Sequence, residues 1–127
     1  MIDLHIHTNN SDGSDSVIDV LKKAQKHELS YMSITDHESV NGHYELRNID
    51  VKQYFSGKII PGVELKNYYK DRVIDILAYN IDIDKFNEYL EKNYKNKTHR
   101  MLESKNLKHL YHNLILSFSH PLISSCY

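Results

Sequence analysis

Two spacings of apolar residues divide the chain into predicted strands and helices. Apolar residues alternate with polar ones from Ile2 to Ile6, which predicts a strand because strand side chains have a period of two. Residues 16–28 carry apolar side chains at helical spacing, and an apolar run at 29–34 predicts a second strand. We expect this strand–helix–strand unit to be parallel, with a right-handed crossover.

The second half of the pattern is less regular and contains a proline–glycine interruption. Pro61 and Gly62 fall within an apolar run, where they favour an irregular strand end over a central position in a sheet. A polar turn is predicted at 68–72. The other predicted elements are a helix over 38–56, strands over 58–65 and 73–79, a helix over 82–110 and a last strand over 114–119.

Histidine and glutamate side chains stand at the ends of these predicted strands. His5 and His7 are two residues apart, so both point to the same side of the first strand. As an isolated motif, such a pair is more often a chance pair on a solvated face. His37 ends the second strand, Glu64 the third and His120 the last. Because the carboxyl ends of parallel strands meet at one edge, we expect these side chains to converge.

Imidazoles and carboxylates at one edge of a sheet favour a metal site. Histidine ligands suit zinc, manganese or iron, whereas carboxylates alone would indicate magnesium or calcium. A glutamate can bridge two ions, and paired ions are a common device for hydrolysing phosphate esters. The sequence has no glycine-rich nucleotide loop and no Gly-x-Ser-x-Gly motif, so it indicates no serine nucleophile.

Several polar residues near this predicted cluster leave alternatives open. Asp75 interrupts an apolar strand, where it either faces solvent or binds a cation. Asp36 or His37 would shuttle a proton in catalysis, or Asp36 would instead orient a metal ligand. Lys66 and Arg72 are candidate substrate-binding residues because they lie near these carboxylates in the sequence.

Size, charge and cysteine content exclude some classes of protein. The 127 residues fit a single domain, and a net charge of -1 argues against a broad nucleic-acid or membrane surface. Cys126 is the one cysteine, and neither a leader nor a long apolar run is evident, so we expect a cytoplasmic protein. Four basic residues lie close together in the predicted last helix: Lys92, Lys95, Lys97 and Arg100. Such a basic patch is more typical of a solvated helix face than of a contact for a phosphate-bearing substrate.

Three motifs together resemble the PHP (polymerase and histidinol phosphatase) domain. They are His5-Ile6-His7 with Ser11-Asp12-Gly13, then Thr35-Asp36-His37, then Pro61-Gly62-Val63-Glu64. The resemblance covers residues 1–82, and the loop at 10–13 is most similar to the stand-alone phosphoesterase branch. It implies an α/β fold, a distorted and here incomplete βα barrel of parallel strands. It also implies one to three divalent ions (zinc, manganese or iron) at the strand C-termini.

The resemblance implies roles for individual residues as well. His5 and His7 would bind a first ion, and Glu64 would bridge that ion to a second. Asp12 and His37 would lie at a third ion.

Later parts of the chain depart from the family pattern. Asp75 stands where the family normally has histidine, and Ser119-His120-Pro121 resembles a motif whose histidine helps to hold the second ion. No Asp-x-His motif follows to close the site, so residues 1–127 are expected to form a single PHP-like domain without that segment. The implied metal ligands are His5, His7, Asp12, His37, Glu64, Asp75 and His120.

Three functions remain open at this point. The first is a metal-dependent phosphoesterase acting on a small phosphorylated substrate or nucleotide through a metal-activated water. The second is a degenerate remnant that serves as a metal-binding or interaction module, and the third is a metal-dependent hydrolase of another bond. We expect no membrane partner and no strong binding to duplex nucleic acid. An incomplete barrel would leave strand edges to cover, which favours a homo-oligomer.

Overall fold

The first half of the chain forms the predicted βαβ unit. The computed structural model describes residues 1–70 and 72–94, with Tyr68 described by its backbone alone. The elements are β1 (Ile2–Ile6), α1 (Val17–Lys26), β2 (Tyr31–Ile34), α2 (Asn41–Arg47), a 3₁₀ turn (Val51–Gln53), β3 (Lys58–Ile59), β4 (Gly62–Tyr69), β5 (Arg72–Tyr79) and α3 (Ile83–Asn93). β1, β2 and β3 form one parallel sheet in that order, and β4 and β5 form a second sheet.

Helix α1 covers one face of the parallel sheet. The hydroxyl of Ser16 accepts the N–H of Asp19 and caps the helix start, because the first N–H groups of a helix have no partner within it. The buried side of α1 packs with Phe55 and the apolar residues of β2. The predicted parallel pairing of β1 and β2 is confirmed, and their carboxyl ends lie at the same edge of the sheet.

The run predicted as one strand over 58–65 is divided between the two sheets. β3 ends at Ile59, and β4 begins at Gly62 after Pro61, which has no N–H to donate to a ladder. β4 pairs with β5 in antiparallel register from one end to the other. β5 is the exception to the parallel arrangement, because strands joined by two residues can pair only in the antiparallel sense. The turn is also shorter than the predicted 68–72, since β4 continues to Tyr69.

Helix α3 packs on the hairpin that β4 and β5 form. Asp82 caps it by accepting the N–H of Lys85, and Ile83 and Leu90 face the buried residues of the hairpin. The helix predicted over 38–56 is interrupted, because α2 ends at Arg47 and a separate 3₁₀ turn follows. Among the described residues, no helix has both the length and the apolarity needed to cross a membrane.

The C-terminal predictions fall outside the described residues. α3 ends at Asn93, and the rest of the helix predicted over 82–110 lies beyond the described chain. The same holds for the strand predicted over 114–119, for His120, and for the part of the basic patch that follows Lys92.

Candidate metal centre

The two sheets meet where the predicted ligand residues lie. β1 carries His5 and precedes His7, β2 precedes His37, and Glu64 is the third residue of β4. Glu64 is thus near the start of its strand, whereas the sequence pattern predicted it at the end of one. Within the described chain, an isolated parallel bridge joins His37 to Glu64, and the N–H of Glu38 donates to the Glu64 carbonyl at 2.8 Å. These contacts bring side chains from both sheets to one edge.

The carboxylate of Glu64 is the centre of a first donor group. Its Oε2 atom lies 2.9 Å from Nε2 of His5 and 2.8 Å from Nε2 of His7. Nε2 of His37 approaches the same oxygen to 3.6 Å. Glu64 is only 5% exposed, so the protein rather than bulk water supplies most of its surroundings.

His7 also belongs to a second donor group. Its Nδ1 atom lies 2.6 Å from Oδ1 of Asp12, and Nε2 of His37 lies 3.5 Å from Oδ2 of Asp12. The rings of His7 and His37 meet edge to face, with centroids 4.6 Å apart. In each group the donor atoms lie within 4.8 Å of one another. Two groups that share His7 have the residue types and spacing to hold two neighbouring ions, provided that the His7 ring loses both N–H protons so that Nε2 serves one group and Nδ1 the other.

Some contacts in these groups are hydrogen bonds, from His5 to Glu64 and from His7 to Asp12, but others have the spacing of ligands around a shared ion. Two ligands at about 2.1 Å from one tetrahedral ion stand about 3.4 Å apart, close to the 3.5 and 3.6 Å between Nε2 of His37 and the two carboxylates. Nε2 of His7 is buried and has no hydrogen-bond partner in the described part of the chain, although Oε2 of Glu64 is 2.8 Å away. The two atoms are close but not aligned for a hydrogen bond. Nδ1 of His37 is buried without a partner there as well.

The electrostatics of both groups favour ionised carboxylates. Burial alone would raise the pKa of Glu64, but the hydrogen bond with His5 and the charges of the surrounding histidines outweigh burial and lower it. The hydrogen bond with His7 lowers the pKa of Asp12. Both carboxylates are therefore anionic near neutral pH, which is the form that binds a divalent cation.

The loop after β1 folds around the buried carboxylate of Asp36. Its Oδ1 atom accepts the N–H of Thr8 at 2.7 Å and the hydroxyl of Ser11 at 2.6 Å, and its Oδ2 atom accepts the hydroxyl of Thr8 at 2.7 Å. Asp36 is 1% exposed, and both oxygens are already hydrogen-bonded. This geometry indicates that Asp36 orients the loop that carries Asp12. Proton transfer by Asp36 stays an untested prediction.

Gly13 lets the same loop turn tightly behind His7. The carbonyl of Thr8 accepts the N–H groups of both Ser11 and Gly13, at 3.1 and 3.0 Å. A Cβ atom at residue 13 would lie 2.5 Å from the carbonyl oxygen of His7, closer than real contacts allow. A glycine is therefore required here, and it places Asp12 beside the imidazole of His7.

The hairpin brings one of the remaining predicted residues near the cluster and leaves another away from it. Lys66 is exposed and lies two residues beyond Glu64, on the same face and about 7 Å along the strand. Asp75 pairs with Lys66 across the hairpin, so it shares this face, but it is exposed and belongs to neither donor group. Arg72 pairs with Tyr69, on the opposite face and about 17 Å along the strand from Glu64. The structure thus does not bring Arg72 to the cluster.

Two residues near the cluster were missed by the sequence analysis. His43 is buried in α2, and its Nε2 atom contacts the carbonyls of Ile34 and Gly62. Tyr79 donates its hydroxyl to the carbonyl of Leu4 at 2.9 Å and so links β5 to β1. The one sequence signal for His43 is its helical spacing from the buried Val40; Tyr79 merely continues an apolar strand.

Known proteins resemble this chain over part of its length. The 5'-3' exoribonuclease Rnm of Escherichia coli is 31% identical over 81 residues, which are 64% of this chain and 28% of that protein. The protein of the same name from Salmonella typhimurium matches to the same extent. The chain therefore spans less than a third of the length of these relatives.

Two solved structures share the fold. An amidohydrolase from Chromobacterium violaceum, with bound sulfate and no metal, superposes with a TM-score of 0.64 at 22% identity; the match covers 76% of this chain and 34% of that one. A Bifidobacterium adolescentis protein, provisionally named a metal-dependent phosphoesterase, gives a TM-score of 0.65 at 20% identity, covering 88% of this chain and 38% of that one. The sequence pattern of the PHP domain matches residues 3–127. This chain belongs to the PHP domain family.

Proposed function

We propose that this chain is a metal-dependent phosphoesterase that hydrolyses a phosphomonoester or a nucleotide-type phosphoester with water as the attacking group. The observation that carries the proposal is the convergence of five donor residues, from β1, the loop after it, the end of β2 and β4, on two adjoining groups. The relatives support it, because an exoribonuclease and a phosphoesterase both cleave phosphoester bonds. The donor residues are His5, His7, Asp12, His37 and Glu64.

The donor set favours zinc, manganese or iron over magnesium or calcium. Each group combines two imidazoles with one carboxylate, and nitrogen donors suit the transition metals and zinc. Divalent ions held there would polarise a phosphoryl oxygen and make water more acidic. We propose one ion in each of the two described groups, with His120 as the residue that would add a ligand from outside the described part of the chain.

The residues around the ions would bind the substrate and move protons. Lys66 projects from the same hairpin face as Glu64, where its ammonium group would meet a phosphate dianion. His37 Nε2 lies 3.5 and 3.6 Å from the two carboxylates, so His37 is the better placed candidate for proton transfer while that atom holds no ion. Asp36 would hold the loop that positions Asp12.

Metal content of the purified chain tests the arrangement directly. His7 contacts both carboxylates, so His7→Ala should remove both ions, whereas Asp12→Ala should remove only the ion of the second group. His27→Ala is the matched control, because His27 is an exposed histidine outside both groups. Equal metal content in all variants, measured by elemental analysis after dialysis, would contradict the proposed centre.

Turnover tests the reaction. Phosphate release from a phosphomonoester, a nucleoside monophosphate and a short single-stranded oligonucleotide should be abolished by chelator and restored by added metal. His7→Ala should lower kcat at least about 100-fold, while His27→Ala should retain it. A carboxylic ester and an amide in the same panel separate phosphoester hydrolysis from hydrolysis of another bond. Undiminished turnover in His7→Ala would refute the proposal.

A second candidate is a metal-binding or interaction module without catalysis. The observation that favours it is the exposed position of Asp75, which stands outside both donor groups. Bound metal without turnover on any of these substrates, in the full chain, would favour this module over the enzyme. We also propose a homo-oligomer, because β1 and β3 are the edge strands of the parallel sheet among the described residues and an edge can pair with a second copy. A monomeric mass by light scattering would exclude it.

A further inference from the structure

His43 lies where the two sheets that supply the donor residues join. α2 places its ring between the end of β2 and the start of β4. Its Nε2 atom is 3.0 Å from the carbonyl oxygen of Ile34 and 2.9 Å from that of Gly62. His43 is buried, so these contacts are sheltered from water.

The partners of His43 decide which form of the imidazole is present. Both short contacts are to carbonyl oxygens, which only accept, so Nε2 must carry a hydrogen and share it between them. The alternative form would accept the N–H of Gly62 at 3.3 Å but would face two lone-pair-bearing oxygens at shorter distances. Burial also lowers the pKa of His43 and favours the neutral ring.

Packing at the same junction leaves little freedom for the strands to move closer. A Cβ atom at Gly62 would lie 2.4 Å from the hydroxyl of Ser33 and 3.0 Å from Cγ2 of Thr35. β4 therefore passes β2 at a separation that admits a side chain at residue 62 only if these groups move. Close packing opposes approach of the strands, and the bifurcated hydrogen bond from His43 opposes their separation.

The two carbonyls lie directly behind the donor residues. Ile34 is three residues before His37, and Gly62 is two residues before Glu64. The distance between these strands therefore contributes to the 3.6 Å separation between Nε2 of His37 and Oε2 of Glu64, together with the backbone hydrogen bonds that join Glu64 to residues 36 and 38. A shift of even half an ångström would change how both groups present their donors.

We infer that His43 is a positioning residue of the metal centre, which fixes Glu64 relative to His37 by joining the carbonyls of Ile34 and Gly62. It belongs to neither donor group, so it would act through the backbone and not as a ligand. The inference rests on the proposed function only in assuming that the donor groups bind metal. Its effect on the geometry can be measured without any metal.

Zinc affinity provides the first test, with Zn²⁺ alone as the probe in competition with a chromogenic chelator. His43→Leu removes the donor but keeps the bulk, whereas His43→Gln keeps N–H donors near the position of Nε2. We expect His43→Leu to weaken zinc binding 10- to 100-fold at a temperature where it is fully folded, and His43→Gln to recover most of it. His27→Leu, an exposed histidine change, should bind zinc like the parent chain. Parent-like affinity in His43→Leu would overturn the inference.

Amide hydrogen exchange in metal-free protein provides the second test. The N–H of Glu38 donates to the carbonyl of Glu64 across the junction, so its protection reports whether the strands stay together. We expect at least tenfold faster exchange of this amide in His43→Leu, with near-parent exchange in His43→Gln. Unchanged exchange in His43→Leu would overturn the inference. A parent chain that bound no zinc would refute the proposed function but leave this second test intact.

Discussion

Asp36 offers a direct test of whether a buried carboxylate positions the loop or transfers protons. The substitution Asp36→Asn keeps the shape of the side chain and removes its charge. In the parent chain, three donors from the loop reach the two carboxylate oxygens at 2.6 to 2.7 Å. An amide offers one oxygen for these donors, so the contact at the other oxygen must reverse or be lost.

The size of the effect follows from these three hydrogen bonds. A hydrogen bond to a charged acceptor contributes about 1.5–3 kcal/mol, and a neutral one about 1 kcal/mol. Replacing three hydrogen bonds to a charged acceptor by three to a neutral one costs roughly 1.5–6 kcal/mol of stability. Part of this loss is offset, because the neutral side chain does not have to be buried as a charge. We expect Asp36→Asn to lower the free energy of unfolding by about 2–3 kcal/mol. That is a large share of the roughly 5–15 kcal/mol typical of a domain.

Urea unfolding in the presence of chelator measures this change without a contribution from bound metal. With a urea slope of about 1.5 kcal/mol per molar, the midpoint should fall by about 1.3–2 M. Asp50→Asn is the matched control, because Asp50 is exposed and accepts one N–H, that of Lys52, at 3.2 Å. Its midpoint should move by less than about 0.3 M, since an asparagine caps as well as an aspartate.

The two roles of Asp36 predict opposite combinations of stability and activity. If Asp36 positions the loop, Asp36→Asn lowers both the stability and the metal affinity of the chain, because the loop that carries Asp12 is released. If Asp36 transfers protons, Asp36→Asn lowers turnover and leaves the unfolding midpoint unchanged. An unchanged midpoint in Asp36→Asn would therefore refute our reasoning about the loop.

Three further predictions address the site and its supports. Gly13→Ala should destabilise the chain by about 1–3 kcal/mol in urea unfolding and reduce metal content, because the new Cβ would meet the backbone of His7 at 2.5 Å. Glu64→Gln should abolish binding at the first donor group, leaving at most one ion by elemental analysis. Stability should fall as pH drops below about 6.5, since burial lowers the pKa of His43 and the unfolded chain then binds the proton more readily. The charge of Asp36 opposes this lowering of the pKa and the charge of Arg47 adds to it. Because glutamine does not titrate, the free energy of unfolding of metal-free His43→Gln should depend less on pH, as measured by urea unfolding.

The parallel unit and its histidines could be predicted because their signals are local. Alternation from Ile2 to Ile6 sets the face of β1, and the residues that follow β1 and β2 must lie at their shared edge. His5, His7 and His37 were located from those signals alone. Glu64 was identified correctly as a neighbour of this edge although its strand was misplaced, because Pro61 marked only where β3 stops.

His43 could not be predicted in the same way. Its partners are backbone carbonyls at residues 34 and 62, which are brought together only by tertiary packing. Neither carbonyl has a signature in the sequence, because every residue carries one. A histidine in a weakly amphipathic segment is therefore indistinguishable from a surface residue until the strands are in place.

Lys66 and Arg72 show most clearly what distance along the chain leaves undetermined. Both were chosen for their nearness to carboxylates, yet only Lys66 lies on the face of Glu64. For Lys66 the even spacing from Glu64 within one strand is enough to predict its face, because strand residues two apart point to the same side. For Arg72 the face depends on how β5 pairs with β4, and a change of one residue in that register would exchange the faces. The register follows from a two-residue turn that the polar run at 68–72 concealed, so a phosphate contact by Lys66 is expected and one by Arg72 is not.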